Sequence, residues 1–137
     1  MASVSANILA VDDSPSLRSL VREALELDGH RVTEACDGRD ALARLESSSE
    51  RLDLVITDLY MPIMDGLTLV KAIRDSARHR FTPVVLLTTE SGEEMKQRGR
   101  EAGATGWLVK PFRIDDLRHV VTQVVSAAVR RGTSERG

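Results

Sequence analysis

Short apolar segments alternate with segments whose apolar residues recur at helical spacing, and this alternation repeats five times along the chain. The first segment, "NILAV", is apolar almost throughout, which is typical of a strand buried on both faces of a sheet. Strands that are each followed by a helix pair in parallel, because the helical crossover returns the chain to the same edge. We therefore predict an α/β fold, a three-layer sandwich in which helices cover both faces of a doubly wound, five-stranded parallel sheet. The predicted strands are residues 7–11, 31–35, 54–57, 83–88 and 107–109.

Length and composition predict one domain in a reducing compartment. The 137 residues, 42% of them hydrophobic and 29% charged, are enough to bury one core. A net charge of −2, with the basic residues spread along the chain, argues against a nucleic-acid or membrane-binding surface. The single cysteine, Cys36, allows no internal disulfide, and the start of the chain does not resemble a signal peptide, so we expect a cytoplasmic protein. We expect the domain to span residues 6–129, with 130–137 as a disordered C-terminal tail.

Polar side chains stand at the carboxyl ends of four predicted strands. In chain order they are Asp12, Asp13, Asp58, Thr88 and Lys110. Because parallel strands all deliver their carboxyl ends to one edge of the sheet, we expect these groups to meet there, where α/β proteins bind ligands. Each acid taken alone is better explained as a helix cap or a turn residue, as Asp65 before Gly66 is. The conjunction of these groups at four strand ends is what indicates a function.

The chemistry of this group of residues favours phosphoryl acceptance. Three carboxylates in one pocket repel one another, and a hard divalent cation removes that conflict. Three aspartates, one lysine and one Mg²⁺ carry formal charges that sum to zero. Phosphoryl transfer depends on positioning and charge neutralisation, and a carboxylate can act as the nucleophile and become an aspartyl phosphate. A buried strand that ends in Asp58 would hold such an acceptor rigidly beside the other acids.

Four segments resemble, in order and spacing, the receiver domain of two-component response regulators. They are "VDDS", "DLVITDLYMPIMDG", "LLTTE" and "GATGWLVKPF", and the resemblance covers residues 6–129. It implies a flavodoxin-like (CheY-like) fold in which a histidine kinase phosphorylates Asp58. It also implies a Mg²⁺ site with Asp13 and Asp58 as direct ligands, Asp12 acting through water, and the backbone carbonyl of Tyr60 as a further ligand.

The resemblance also assigns roles to the other residues at the strand ends. Lys110 is expected to pair with the phosphoryl oxygens, and its peptide bond to Pro111 is expected to be cis. Thr88 is expected to hydrogen-bond a phosphoryl oxygen after phosphorylation. Trp107 would then turn inward into the space that Thr88 leaves, so that the two residues form the switch. A protein of this kind is not an enzyme in the usual sense, since it catalyses only its own phosphorylation and dephosphorylation.

Because no output domain follows the receiver pattern, the chain resembles a stand-alone regulator of the chemotaxis CheY type. Its expected partners are a CheA-like histidine kinase and the flagellar motor switch protein or another downstream protein. The alternative is a phosphate-shuttling receiver in a non-chemotaxis phosphorelay or stress pathway. Two rival classes fit less well. A haloacid-dehalogenase-like phosphatase needs a second acid where Tyr60 stands, and a flavodoxin-like FMN binder needs a phosphate loop where "DDSPS" places two acids.

Overall fold

The computed structural model describes residues 5–136, in which strands and helices alternate along the chain. In order they are β1 (Asn7–Val11), α1 (Pro15–Leu27), β2 (Arg31–Ala35), α2 (Gly38–Ser47), β3 (Leu54–Asp58), α3 (Gly66–Asp75), β4 (Val84–Thr88), α4 (Glu93–Ala102), β5 (Gly106–Val109) and α5 (Ile114–Arg136). The strands form one parallel sheet in the order β2-β1-β3-β4-β5. The strand order reverses between β1 and β3, and ligands bind at such a switch point in open α/β sheets.

Each face of the sheet has its own apolar core. One core joins strand residues to α1 and α5, where Leu25 and Leu117 are fully buried. The other joins strand residues to α2, α3 and α4, where Leu45 and Ile73 are buried. The predicted three-layer sandwich is therefore confirmed. Both β3 and β4 are buried along their whole length, so their carboxyl ends are rigid supports for side chains.

Side-chain caps fix where the first three helices begin. Ser14 caps α1 directly before Pro15, as the sequence indicates, and Asp37 caps α2. Asp65, which the sequence analysis treats as a turn residue, caps α3 by accepting a hydrogen bond from the N–H of Thr68 at 2.8 Å. The start of α3 is therefore fixed only a few residues beyond the end of β3.

The C-terminal helix is longer than the sequence predicts. Its backbone is helical to Arg136, past the expected end of the domain at residue 129, and Gly137 lies outside the described residues. The expected disorder of residues 130–137 stays a prediction. Arginines favour helix at positions 130 and 131, and the one glycine that follows costs only about 1 kcal/mol inside a helix. Like the other described helices, α5 lacks the long apolar run that crossing a membrane requires.

Candidate functional site

Three carboxylates meet at the carboxyl edge of the sheet, as the strand-end pattern predicts. One oxygen from each of Asp12, Asp13 and Asp58 lies within 4.8 Å of the others. The first two residues follow β1, and Asp58 is the last residue of β3, which is the neighbour of β1 in the sheet. Asp12 and Asp58 are 4% and 8% exposed, whereas Asp13 is exposed. Two acids therefore form the floor of the site and the third faces the solvent.

The ammonium group of Lys110 lies against this acid cluster. Its Nζ donates a hydrogen bond to Asp58 Oδ1 at 3.0 Å and lies 3.6 Å from Asp12 Oδ2. The backbone N–H of Lys110 donates to the carbonyl of Thr88 at 2.7 Å, which ties β5 to the end of β4. The Lys110–Pro111 peptide bond is cis, as the resemblance implies. One ammonium beside three carboxylates leaves the site with an excess of negative charge.

The carboxylate of Asp12 lacks a full set of protein partners. Its Oδ1 accepts a hydrogen bond from the N–H of Ser14 at 2.8 Å. Its Oδ2 is buried and has no hydrogen-bond partner within the described part of the chain, because 3.6 Å to Lys110 is too long. Burial raises the pKa of Asp12, and the charges of Asp58 and Asp13 add to that rise. A buried oxygen without a donor, beside two more carboxylates, fits a hard cation such as Mg²⁺, which prefers oxygen ligands and keeps several waters.

Glu90 connects the residues that are expected to transmit the signal. Its backbone N–H donates to Thr88 Oγ1 at 3.1 Å, and its backbone carbonyl accepts from Trp107 Nε1 at 3.0 Å. Its side-chain Oε1 accepts from the Tyr60 hydroxyl at 3.0 Å. The buried Thr88 hydroxyl thus bonds the loop after β4 and is joined to Trp107 through one residue. The sequence does not reveal these contacts of Glu90, although this residue ends the segment "LLTTE", because they depend on the path of a loop.

Gly66 lies against the backbone of the proposed acceptor. Its N–H donates to the carbonyl of Leu59 at 2.7 Å. A Cβ at this position would lie 2.6 Å from the carbonyl oxygen of Asp58 and 2.9 Å from the Cα of Leu59. Both neighbours are backbone atoms and cannot turn aside. Glycine is therefore required where α3 packs against the end of β3. The sequence does not reveal this requirement, because "DG" is also an ordinary turn signal.

Ile63 has a strained backbone in the loop between β3 and α3. Its φ is 74°, in the left-handed region that β-branched residues avoid. The N–H of Met64 donates to the carbonyl of Pro62 at 2.8 Å and closes a tight turn around Ile63. The side chain is 70% exposed, so burial does not offset the strain. Tyr60 opens the same loop, and the expected role of its carbonyl as a metal ligand stays a prediction.

Comparison with known proteins indicates which domain type carries such a site. The family model described as "Response regulator receiver domain" matches residues 8–122. Among solved structures, the chemotaxis response regulator CheY4 of Vibrio cholerae is 45% identical with a TM-score of 0.83, over 88% of this chain and 99% of that chain. The receiver domain of a Pseudomonas aeruginosa sensor histidine kinase, described with a magnesium ion coordinated in the active site cleft, is 27% identical with a TM-score of 0.79. That match covers 90% of this chain and 99% of the other.

A curated relative has a different described role. The transcriptional regulatory protein PrrA of Mycobacterium tuberculosis is 35% identical over 130 residues, which are 95% of this chain and 53% of PrrA. The chain thus spans about half the length of the curated relatives that it matches. A chemotaxis response regulator, a sensor histidine kinase and a transcriptional regulatory protein thus match this chain, and their described roles differ.

Proposed function

The chain belongs to the response regulator receiver domain family, and we propose that it is a switch in which Asp58 accepts a phosphoryl group from a histidine kinase. The observation that carries the proposal is the acid cluster at the carboxyl edge of the sheet, with Lys110 hydrogen-bonded to Asp58. On this proposal the protein is a signalling phosphoacceptor and does not turn over an external substrate.

We assign the metal site to Asp13 and Asp58 as direct ligands, to Asp12 through a water molecule, and to the carbonyl of Tyr60. The buried Asp12 oxygen without a hydrogen-bond partner and the exposure of Asp13 support this assignment. When bound, Mg²⁺ neutralises the carboxylates and the charge of the transferring phosphoryl group. The protein supplies these oxygens at the carboxyl ends of two neighbouring strands, β1 and β3.

The residues of the chain perform the transfer by position and charge. A bond forms between a carboxylate oxygen of Asp58 and phosphorus while the bond from phosphorus to the histidine nitrogen of the kinase breaks. The histidine nitrogen takes up a proton as it leaves. Lys110 already lies 3.0 Å from Asp58 and places a positive charge beside the new phosphoryl oxygens. Burial of β3 holds the nucleophile in place during this step.

Incubation with acetyl phosphate and Mg²⁺ is expected to add one phosphoryl group to the protein. The adduct should be cleaved by hydroxylamine and by alkali, as an acyl phosphate is, and intact mass spectrometry measures its yield. Chelating the metal with EDTA should remove most of that yield, because the carboxylates then repel the incoming phosphate. Equal yields with and without EDTA would contradict the proposed metal dependence.

The signal is proposed to leave the site through Thr88 and Glu90. A phosphoryl group on Asp58 offers the Thr88 hydroxyl a charge-assisted hydrogen bond worth about 1.5–3 kcal/mol. The bond that Thr88 makes to the N–H of Glu90 is between neutral groups and is worth about 0.5–1.5 kcal/mol. Movement of Thr88 toward the phosphate therefore breaks its hydrogen bond with the N–H of Glu90, so that the backbone of Glu90 can move. The carbonyl of Glu90 accepts a hydrogen bond from the Trp107 indole. Phosphorylation would thus change the environment of Trp107.

Beryllofluoride with Mg²⁺ is expected to change the emission of Trp107 and its accessibility to a quencher. The chain has one tryptophan, so its fluorescence reports on this position alone. Thr88→Ala should reduce the change, because it removes the hydroxyl that links the site to Glu90. Thr89→Ala is the matched control, since it removes the hydroxyl of an exposed neighbour and should leave the response intact. Unchanged emission in wild-type protein whose site is loaded would show that coupling does not pass through Trp107.

For the pathway we propose chemotaxis in the cytoplasm, with a CheA-like histidine kinase as donor and the flagellar motor switch protein as target. The similarity to CheY4, which extends over nearly all of that chain, supports this choice. The polar helix α4, which adjoins Trp107, is the proposed contact surface. Likeness to the receiver of a sensor kinase supports the phosphorelay alternative. A pull-down with beryllofluoride-loaded protein separates the two pathways. Capture of the motor switch protein would support chemotaxis, and capture of a histidine phosphotransfer protein would support the phosphorelay.

A further inference from the structure

Arg18 of α1 joins the acid-bearing loop to the neighbouring strand β2. Its Nη1 donates to the backbone carbonyl of Asp12 at 2.6 Å, and its Nε donates to Glu34 Oε1 at 2.9 Å. The side chain is only 17% exposed, so its aliphatic part is packed as well. One guanidinium thus holds β2 and the loop between β1 and α1 in a single arrangement.

The carbonyl that Arg18 holds belongs to the peptide unit linking Asp12 to Asp13. Asp12 is the first residue after β1, where the regular strand ends, and the Asp13 side chain faces solvent. The direction of the Asp13 carboxylate therefore depends on the orientation of the peptide that carries it. A guanidinium presents its donors in a rigid plane, so it fixes a carbonyl more closely than a flexible ammonium does.

Glu34 in turn fixes the orientation of Arg18. Its Oε1 accepts from Arg18, and its Oε2 accepts from Arg22 Nη1 at 2.9 Å. A hydrogen bond from Arg22, and a weaker contribution from the one that Arg18 donates, lower the pKa of Glu34. The carboxylate therefore stays ionised at neutral pH. Its one negative charge is shared between two arginines and offsets that of Arg18 in part. Arg18 contacts the acid-bearing loop at a neutral carbonyl, so its contribution there is one of geometry.

We infer that Arg18, held by Glu34, is a positioning residue for the divalent-cation site. It orients the peptide between Asp12 and Asp13 so that both carboxylates face the same cation as Asp58. This inference rests on the proposed function, since it concerns the metal site of that function. Partners that orient metal ligands in this way typically change metal affinity about 10–100-fold when removed.

The test is a calorimetric titration of metal-free protein with Mg²⁺ alone. Arg18→Met keeps the aliphatic stem and removes both hydrogen bonds, and should weaken Mg²⁺ binding about 10-fold or more. Arg22→Met is the matched control: it removes an ion pair to the same Glu34 but no contact to Asp12, and should bind like wild type. A wild-type Kd for Arg18→Met, or equal losses in the two variants, would overturn the inference.

Arg18→Lys separates position from charge. It keeps the positive charge but cannot donate to Asp12 and Glu34 in the same planar arrangement, so it should resemble Arg18→Met. Full recovery of Mg²⁺ affinity by lysine would show that charge alone matters and would overturn the positioning role. Urea denaturation checks that each variant folds, and the lysine variant decides the question if the methionine variant does not. Wild-type protein that fails to bind Mg²⁺ would instead refute the proposed function itself.

Discussion

Asp58→Asn is expected to abolish the phosphoryl adduct that acetyl phosphate forms on the wild-type protein. Asparagine has nearly the same shape, and its neutral amide oxygen is too poor a nucleophile to attack phosphorus. The expected yield is therefore below about one hundredth of the wild-type value. Intact mass spectrometry after incubation with acetyl phosphate and Mg²⁺ measures that yield.

Asp53→Asn is the matched control for this experiment. Asp53 lies just before β3, at the opposite end of the strand from Asp58, and accepts a hydrogen bond from the N–H of Asn7 that asparagine can also accept. This variant should be phosphorylated to the wild-type extent. An adduct of wild-type yield on Asp58→Asn would mean that another residue is the acceptor, and the assignment of Asp58 would then be wrong.

Gly66→Ala is expected to lower the free energy of unfolding by about 1–3 kcal/mol, the usual cost of inserting a methyl group into packed structure. The added Cβ would lie 2.6 Å from the carbonyl oxygen of Asp58, so either α3 or the end of β3 must move. Because that carbonyl belongs to the proposed acceptor, the variant should also bind Mg²⁺ more weakly. Urea denaturation and titration with Mg²⁺ measure the two effects.

Gly92→Ala is the control for the loss of a glycine as such. A Cβ at Gly92 would meet no atom within 4 Å, and the backbone there is extended with φ −70°. Gly92 is the N-cap of α4, where alanine is less favourable than glycine, so the change should lower the free energy of unfolding by about 1 kcal/mol or less and leave Mg²⁺ binding unchanged. If Gly66→Ala is as stable as Gly92→Ala and binds Mg²⁺ normally, the packing of α3 against Asp58 does not constrain the site.

The strands could be predicted from the sequence because each is specified locally. The apolar run at residues 7–11 and the pattern at 31–35 coincide with β1 and β2. Parallel pairing then brings the strand ends to one edge, which is why the sequence alone predicts that Asp12 and Asp58 lie together. The helical backbone through residues 130–136 could not be predicted, because polar arginine-containing sequence is compatible with either helix or coil.

The contacts around the acid cluster could not be predicted because they join residues distant in sequence through particular rotamers. Arg18 reaches Glu34 across two elements, and Trp107 reaches the Glu90 carbonyl across the whole of α4. No periodicity or spacing encodes such pairs. Parallel strand pairing explains why the acids meet at this edge, but only the packed structure shows which neighbours orient them.

The strained turn at Ile63 has a consequence for how this sequence can evolve. A residue with φ 74° costs about 1–2 kcal/mol unless it is glycine or asparagine, which adopt the left-handed region more readily. Two of the isoleucine codons differ from asparagine codons by one nucleotide, and the exposed side chain at this position leaves room for the exchange. A lineage that acquires a useful but destabilising mutation elsewhere in the domain can thus regain stability in a single mutational step, at a position outside the acid cluster.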